Sequence, residues 1–286
     1  MQVLPSGYNN IVKIAILSDI HGNWPALQTI ATHIGAWQPD CVIVAGDIVN
    51  RGPSSRDCWN LVTAWQKSAG WQVMMGNHET DVLAYTRPNL DKSQRLPMSY
   101  WTWRQMNVQV NALAALPETV EFTGPDGSEL RARHASMLGQ QDGIYHNTPT
   151  SEIRLKIAPA PAVFCTGHTH VPYVRQVDDT LVVNAGSVGS PCDGDRRASY
   201  AQVVWHRGQW QAKIVRLMYD VVQTDLDFRS SGFLEEAGAY ARLVYHEWRT
   251  ARGVIVLWRE QYQAQVMDGI IDEETAVAQF LAQLDG

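Results

Sequence analysis

The sequence predicts an α/β fold, and three observations carry that expectation. Short apolar runs recur, and each ends in a cluster of small or polar residues. Helical repeats of apolar residues fill the gaps between several of them. The composition, 45% hydrophobic and 18% charged over 286 residues, is that of a folded protein with room for one large domain or two ordinary ones.

Taken in order, Val12 to Leu17 leads into Ser18-Asp19-Ile20-His21-Gly22, and Cys41 to Ala45 leads into Gly46-Asp47. Trp71 to Met75 leads into Gly76-Asn77-His78-Glu79, and Ala162 to Cys165 into Thr166-Gly167-His168-Thr169-His170. Leu181 to Val183 leads into Asn184-Ala185-Gly186-Ser187. Runs that are apolar at nearly every position fit strands buried on both faces. Pro25 to Trp37 places Leu27, Ile30, Ala31 and Ile34 on one helical face behind a capping Asn23. Ser54 to Ala69 repeats the pattern with Cys58, Leu61, Val62 and Trp65. Asp81 to Leu116 contains Pro88 and Pro97, and a helix is predicted through Trp101 and Trp103 to Leu116. Tyr200 to Trp205 and Trp210 to Leu217 alternate and read as a hairpin around Arg207-Gly208. Beyond it, Phe233, Ala237, Tyr240, Val244 and Trp248 repeat at helical spacing. A second helix is expected from Val254 to Val266 and a third from Asp272, with Phe280, Leu281 and Leu284 facing inward. The expected division is a domain over residues 1–231 and a helical C-terminal extension over 232–286.

Composition narrows the function. The net charge of −6 opposes non-specific binding to a phosphate backbone, so long nucleic acid is not an expected partner. None of the four cysteines forms a CxxC pair, which leaves out a zinc ribbon and a thioredoxin-type motif. No window approaches the roughly 20 apolar residues of a membrane span, so no membrane partner is expected. Met1 to Val12 lacks the pattern of a targeting segment, and with thiols expected reduced, a cytoplasmic location follows as the expectation.

The chemistry collects at the strand ends, where open α/β sheets gather their ligands. Five of the nine histidines fall there: His21, His78, His134, His168 and His170. Asp19, Asp47 and Asn77 join them. Imidazole and carboxylate together suit zinc, manganese or iron. Two carboxylates brought close would repel unless cations neutralised them. A pair of metals sharing one carboxylate meets that need and leaves an open position for an activated water. Taken singly, Asp19-Ile20-His21 and Gly46-Asp47 read as hydrogen-bonded turn residues, and Gly76-Asn77-His78-Glu79 is the more specific piece. His168 and His170 would face opposite ways on a strand, but on a loop they could reach two neighbouring ions.

In their order these pieces resemble the calcineurin-like metallophosphoesterases, whose signature runs Asp-x-His, Gly-Asp, Gly-Asn-His-(Asp or Glu), a lone His, and Gly-His-x-His. The likeness extends from Lys13 to about Tyr200. Leu113 to Pro117 resembles the bacterial branch that acts on small substrates. The resemblance implies two packed mixed β-sheets flanked by helices, with a binuclear metal site at the strand ends. It implies that Asp19, His21 and His170 hold one divalent ion, that Asn77, His134 and His168 hold the other, and that Asp47 bridges them. Manganese is favoured, with iron, zinc or nickel acceptable to the same donors. It implies in-line attack on phosphorus by a metal-bridging hydroxide, with His78 as the catalytic residue beside the leaving group. Glu79 reads either as a partner orienting the ligands or as a cap of the next helix. Arg51 reads as a clamp on substrate phosphate or as a solvated turn residue.

Two departures matter. Protein serine/threonine phosphatases carry Gly-Asp-x-x-Asp-Arg-Gly, where this chain has Gly46-Asp47-Ile48-Val49-Asn50-Arg51-Gly52. Asn50 can accept a hydrogen bond from His78 but cannot raise its pKa by charge. Ala135 stands where small-enzyme relatives often have Gly. The expectation is therefore a metal-dependent phosphoesterase acting on a small phosphodiester or phosphomonoester. The alternatives are a scaffold that kept the fold without the chemistry, a hydrolase of dinucleoside polyphosphates, and a protein serine/threonine phosphatase. Self-association is left open. Tyr100, Trp101 and Trp103 read as pocket lining or as ordinary helix packing.

Overall fold

A computed structural model describes residues 2–3, 11–89 and 96–284. The outermost residues of the two expected domains, Met1 and 285–286, lie outside the described residues. The strands are β1 (Gln2–Val3), β2 (Val12–Leu17), β3 (Cys41–Val44), β4 (Gln72–Val73), β5 (Thr119–Thr123), β6 (Glu129–Arg133), β7 (Val163–Thr166), β8 (Tyr173–Val177), β9 (Thr180–Asn184), β10 (Ala198–His206) and β11 (Gln209–Leu217). They form two mixed sheets, of order β11-β10-β2-β3-β4 and β1-β5-β6-β7-β9-β8.

Strand alternation builds the layers. In β2, Ile14 and Ile16 point between the sheets, while Ala15 and Leu17 point outward. In β3, Ile43 points inward and Val42 and Val44 outward. Leu130, Ala132, Val163, Cys165 and Val183 of the second sheet close the inner layer. The outer face of the first sheet is covered by α1 (Trp24–Trp37) and α2 (Ser55–Ala69) through Leu27, Ile30, Ile34, Cys58 and Val62. Burial on both faces is why these strands read as unbroken apolar runs. Asn23 caps α1 as expected, its Oδ1 accepting the Ala26 N–H at 3.2 Å.

Next come α3 (Asn77–Leu83), α4 (Pro97–Met106) and α5 (Val110–Leu113). The single helix expected as far as Leu116 is broken, because Asn107 turns to φ +48° and a 3₁₀ turn follows. Asparagine is one of the few residues that tolerates positive φ. After α6 (Thr150–Lys156) and α7 (Val221–Ser230), the C-terminal segment holds α8 (Phe233–Glu236), α9 (Tyr240–Thr250), α10 (Val254–Trp258), α11 (Ala264–Met267) and α12 (Glu273–Leu284). The predicted repeat from Phe233 to Trp248 is two helices, not one, separated at Gly238 with φ +82°. A π-helical turn, Arg259–Gln263, joins α10 to α11. Phe280 is buried as expected, but Leu284 is 40% exposed at the end of the last helix.

The extension has its own apolar cluster, around Phe233, Leu243, Val244, Trp248, Trp258 and Phe280. Met98 and Trp101 of α4 and Phe228 of α7 belong to the same cluster, so it runs across residue 231. Trp101 is therefore helix packing against Phe233, with ring centroids 5.1 Å apart, and not the lining of a pocket. Trp248 donates its Nε1–H to Tyr219 Oη at 2.9 Å, fixing α9 to the segment after β11. Among the described residues, no helix is long and apolar enough to cross a membrane.

Candidate metal centre

Strands β2, β3 and β4 run parallel, as do β6, β7 and β9. The loops after these strands bring together every residue expected as a ligand. Asp19 and His21 follow β2, Asp47 follows β3, and Asn77 opens α3 after β4. His134 follows β6, and His168 and His170 follow β7. Strands end here because the backbone turns to positive φ at Asp19 (+55°), His21 (+48°), Asp47 (+55°), His168 (+64°) and His170 (+59°). Such conformations are costly for residues with a side chain and concentrate at functional sites. They also answer the alternation question: His168 and His170 leave a left-handed loop and reach different groups.

Two sets of donor atoms result. In the first, His170 Nε2 lies 3.1 Å from Asp19 Oδ1 and 3.1 Å from His21 Nε2, and His21 Nε2 lies 3.7 Å from Asp19 Oδ1. In the second, Asn77 Oδ1 lies 3.0 Å from His134 Nε2 and 2.9 Å from His168 Nδ1. Asp47 Oδ2 joins both, at 3.7 Å from His21 Nε2 and 3.2 Å from His134 Nε2. Apart from the two 3.7 Å separations at His21, these distances lie near the edges, about 3.0–3.5 Å, of a coordination shell with bonds near 2.1 Å.

Hydrogen bonding behind the ligands makes the inward ring nitrogens of His134 and His170 lone pairs whenever those rings are neutral. His134 donates Nδ1–H to Ala45 O at 2.8 Å, and His170 donates Nδ1–H to Ser190 O. The Nε2 atoms of both rings therefore face carboxylate, amide or imidazole acceptors. Asp19 Oδ1 is buried and finds no hydrogen-bond donor among the described residues. Asp19 and Asp47 are both buried, and among the described residues their ion-pair partners are histidines. Buried carboxylates need compensating positive charge. A cation in each set supplies it, so the residues present fit two divalent ions.

Without cations, a proton does part of that work. Burial alone would lower the His134 ring, but Asp47 outweighs it and pushes His134 up to about 10. Burial would raise the Asp47 carboxyl, but His134 holds it well below the usual carboxylate range. Burial brings His168 down to about 4. Metal binding has to displace the His134 proton.

Glu79 serves in both of the roles open to it. Its Oε2 accepts the N–H of Gly76 at 2.8 Å at the start of α3, and the N–H of Asp47 at 2.8 Å. Its Oε1 accepts the N–H groups of Ile48 and Val49 at 2.7 and 3.2 Å. One buried carboxylate thus ties the loop of the shared aspartate to the helix that begins with Asn77. Burial, together with the Asp47 charge, pushes Glu79 up to about 7. The two motif glycines have a steric cause. A Cβ at Gly76 would collide with Asp47, and one at Gly167 with Ser18 and Asp19. The chain must approach its ligands closely at both places.

His78 stands beside the cluster. One of its ring nitrogens lies within 4.8 Å of donor atoms of His21 and Asp47, and its backbone N–H donates to Asp47 Oδ1 at 2.9 Å. Asn50 meets the ring in the opposite sense to the expectation. Thr102 Oγ1–H donates to Asn50 Oδ1 at 3.1 Å, so the amide nitrogen is left to donate to His78 Nδ1 at 3.0 Å and to Ser99 Oγ at 2.9 Å. Asn50 is thus a donor to the ring. Burial lowers the ring's pKa well below its ordinary value.

Two participants were not found from the sequence. Asp81 Oδ2 lies 3.5 Å from His78 Nδ1, and its spacing of three residues on a helix was the signal available. Glu247 of α9 forms an ion pair with Arg51, so Arg51 is held and not solvated. Nothing local in the sequence signals a pair 196 residues apart.

Residues 12–208 match the family model described as the calcineurin-like phosphoesterase superfamily domain. An uncharacterised protein of Methanocaldococcus jannaschii is 25% identical over 224 residues, covering 73% of this chain and 88% of that protein. The crystal structure of a metallophosphoesterase from Sphaerobacter thermophilus superposes with a TM-score of 0.66 at 26% identity, covering 85% of this chain and all of that one. A hypothetical protein from Pyrococcus horikoshii OT3 superposes with a TM-score of 0.68 at 19% identity, over 80% and 97% of the two chains. A family match over more than half of the chain, on the fold and donor set described above, places this protein in the calcineurin-like phosphoesterase superfamily.

Proposed function

We propose that the chain is a two-cation phosphoesterase that hydrolyses a small phosphate ester. The observation that carries this reading is the meeting of two donor sets at one atom, Asp47 Oδ2. Asp19, His21 and His170 would hold one ion, and Asn77, His134 and His168 the other. Bound there, the ions would lower the pKa of a water and neutralise charge on the non-bridging phosphoryl oxygens. Manganese is the favoured pair, and metal analysis of the purified protein decides its identity.

The chain's own groups have separate tasks. Glu79 holds the Asp47 loop and the start of α3 in register. Asn50 occupies His78 Nδ1 as a donor, which leaves the proton of the neutral ring on Nε2. From Nε2 the neutral His78 ring donates a hydrogen bond that stabilises charge on the departing oxygen as the ester bond breaks, and the proton that oxygen takes up comes from water.

The test is a pair of variants assayed with an aryl phosphate monoester and a diester. Asp47→Asn is expected to lose metal from both sets and to abolish turnover. His78→Ala is expected to keep its metal and lose turnover, most for poor leaving groups. Full activity in Asp47→Asn refutes the reading, and metal loss in His78→Ala refutes the role of His78.

A further inference from the structure

Arg51 and Glu247 form a charged pair against the donor cluster. Arg51 sits in the turn after Asp47, with φ +61° and its side chain 13% exposed. Its Nη2–H donates to Glu247 Oε1. Glu247 is 2% exposed, and its Oε2 accepts the Ile255 N–H at 3.1 Å. A Glu247 carboxylate oxygen lies within 4.8 Å of a His170 ring nitrogen. The pair is thus built into the rim of the proposed site, one member from the turn after β3 and the other from the C-terminal extension. Arg51 Nε remains buried without an acceptor among the described residues.

A bare arginine here would add one positive charge to the site and favour ligands with more negative charge. Glu247 cancels that charge. Above the second ionisation of a phosphate, near pH 6, a phosphomonoester carries about two negative charges. A phosphodiester carries one. We propose that Glu247 determines substrate class by neutralising Arg51, so that the site selects monoanionic phosphodiesters over dianionic phosphomonoesters. This rests on the hydrolase reading above and names its substrate class.

The test uses the full chain loaded with manganese at pH 8. Wild-type protein and the Glu247→Gln variant are compared on bis(p-nitrophenyl) phosphate and p-nitrophenyl phosphate. Calorimetry in parallel compares binding of inorganic phosphate and dimethyl phosphate. Wild type is expected to have the higher kcat/KM on the diester. In Glu247→Gln the monoester-to-diester ratio is expected to rise roughly tenfold or more, with a parallel tightening of inorganic phosphate relative to dimethyl phosphate. In the Arg51→Gln/Glu247→Gln double variant that gain is expected to vanish.

An unchanged ratio in a folded Glu247→Gln protein overturns the proposal, as does an equal gain in the double variant. Should Glu247→Gln fail to fold, wild type alone decides: a higher kcat/KM on the monoester, or tighter binding of inorganic phosphate than of dimethyl phosphate, overturns it. If wild type turns over neither ester, the hydrolase reading fails. The anion titration of wild type and variant then still decides on Glu247.

Discussion

Gly76→Ala tests whether the packing of the shared aspartate governs the site. Gly76 has φ −106° and ψ −178°, an extended conformation that alanine adopts freely. On dihedral grounds alone the substitution should be neutral or slightly stabilising, by about 0.4–1 kcal/mol. Contact reverses the sign. The new Cβ would lie 2.9 Å from Asp47 Cγ, and closer still to Asp47 Oδ1, where ordinary contact begins at 3.4 Å. Asp47 cannot retreat, because Glu79 holds its N–H at 2.8 Å and the His78 N–H holds its Oδ1 at 2.9 Å. The expected cost is about 1–3 kcal/mol of stability for overpacking. A displacement near 1 Å at the shared ligand is expected to lower kcat/KM by about 100-fold. Gly70→Ala is the control: φ +68° imposes dihedral strain, but nothing lies within 4 Å. It should cost about 1 kcal/mol and leave turnover intact. Urea unfolding, metal titration and turnover are measured on both variants. If Gly76→Ala keeps wild-type metal affinity and turnover, close approach at Asp47 is not what the glycine provides, and the reasoning fails.

Three further outcomes are expected. The His134 ring, pushed up to about 10 from an ordinary 6.5, stabilises the metal-free fold fully below pH 6.5 and loses that contribution as pH rises through about 10. The metal-free protein should therefore melt progressively lower from pH 7 to pH 10, while the metal-loaded protein, with a cation in place of the proton, should not follow it. Asn50→Asp places an anion at His78 Nδ1, which favours the charged ring; the limb of the pH–rate profile that reports His78 should move to higher pH, and an unmoved limb would contradict the contact. Trp248→Ala removes a buried ring and the partner of Tyr219 Oη, and should cost about 3–5 kcal/mol by urea unfolding.

Most of the sandwich was legible because both its sheets are buried on two faces, which makes Val12 to Leu17 or Ala162 to Cys165 apolar at almost every position. The donor residues were legible for a different reason. Each interrupts such a run at its end, and parallel strands deliver their ends to one side. What escaped was set by long-range geometry. The direction of the Asn50–His78 hydrogen bond depends on Thr102, which occupies the amide oxygen from a helix 52 residues away. The pairing of Arg51 depends on α9, which has no motif of its own. The helix breaks at Asn107 and Gly238 are single-residue dihedral choices that leave the apolar repeat intact, so a periodic pattern runs straight through them.

The loops that carry the proposed ligands concentrate two unfavourable features in one place: left-handed backbone at five of those residues and two buried carboxylates. Neither is relieved by the hydrophobic layers, which lie below them in the strands. The positive φ values aim the side chains back over the strand ends, where extended backbone would have sent alternate residues to opposite faces. The carboxylates are then brought close enough that only cations, or the His134 proton in their absence, offset their repulsion. Strain and charge thus have a common cause, the convergence of donors from five loops. Both are expected to fall together when the ions bind, because the charge that rewards the geometry arrives with them. It follows that these loops belong to the least stable part of the metal-free chain, while the strands that carry them stay intact. Amide exchange should show it: cations should slow exchange most at Asp19, Asp47 and His168, with little change at Ile14, Ile43 or Phe164. Equal protection along loops and strands would mean that the fold, and not the ions, holds the donors in place.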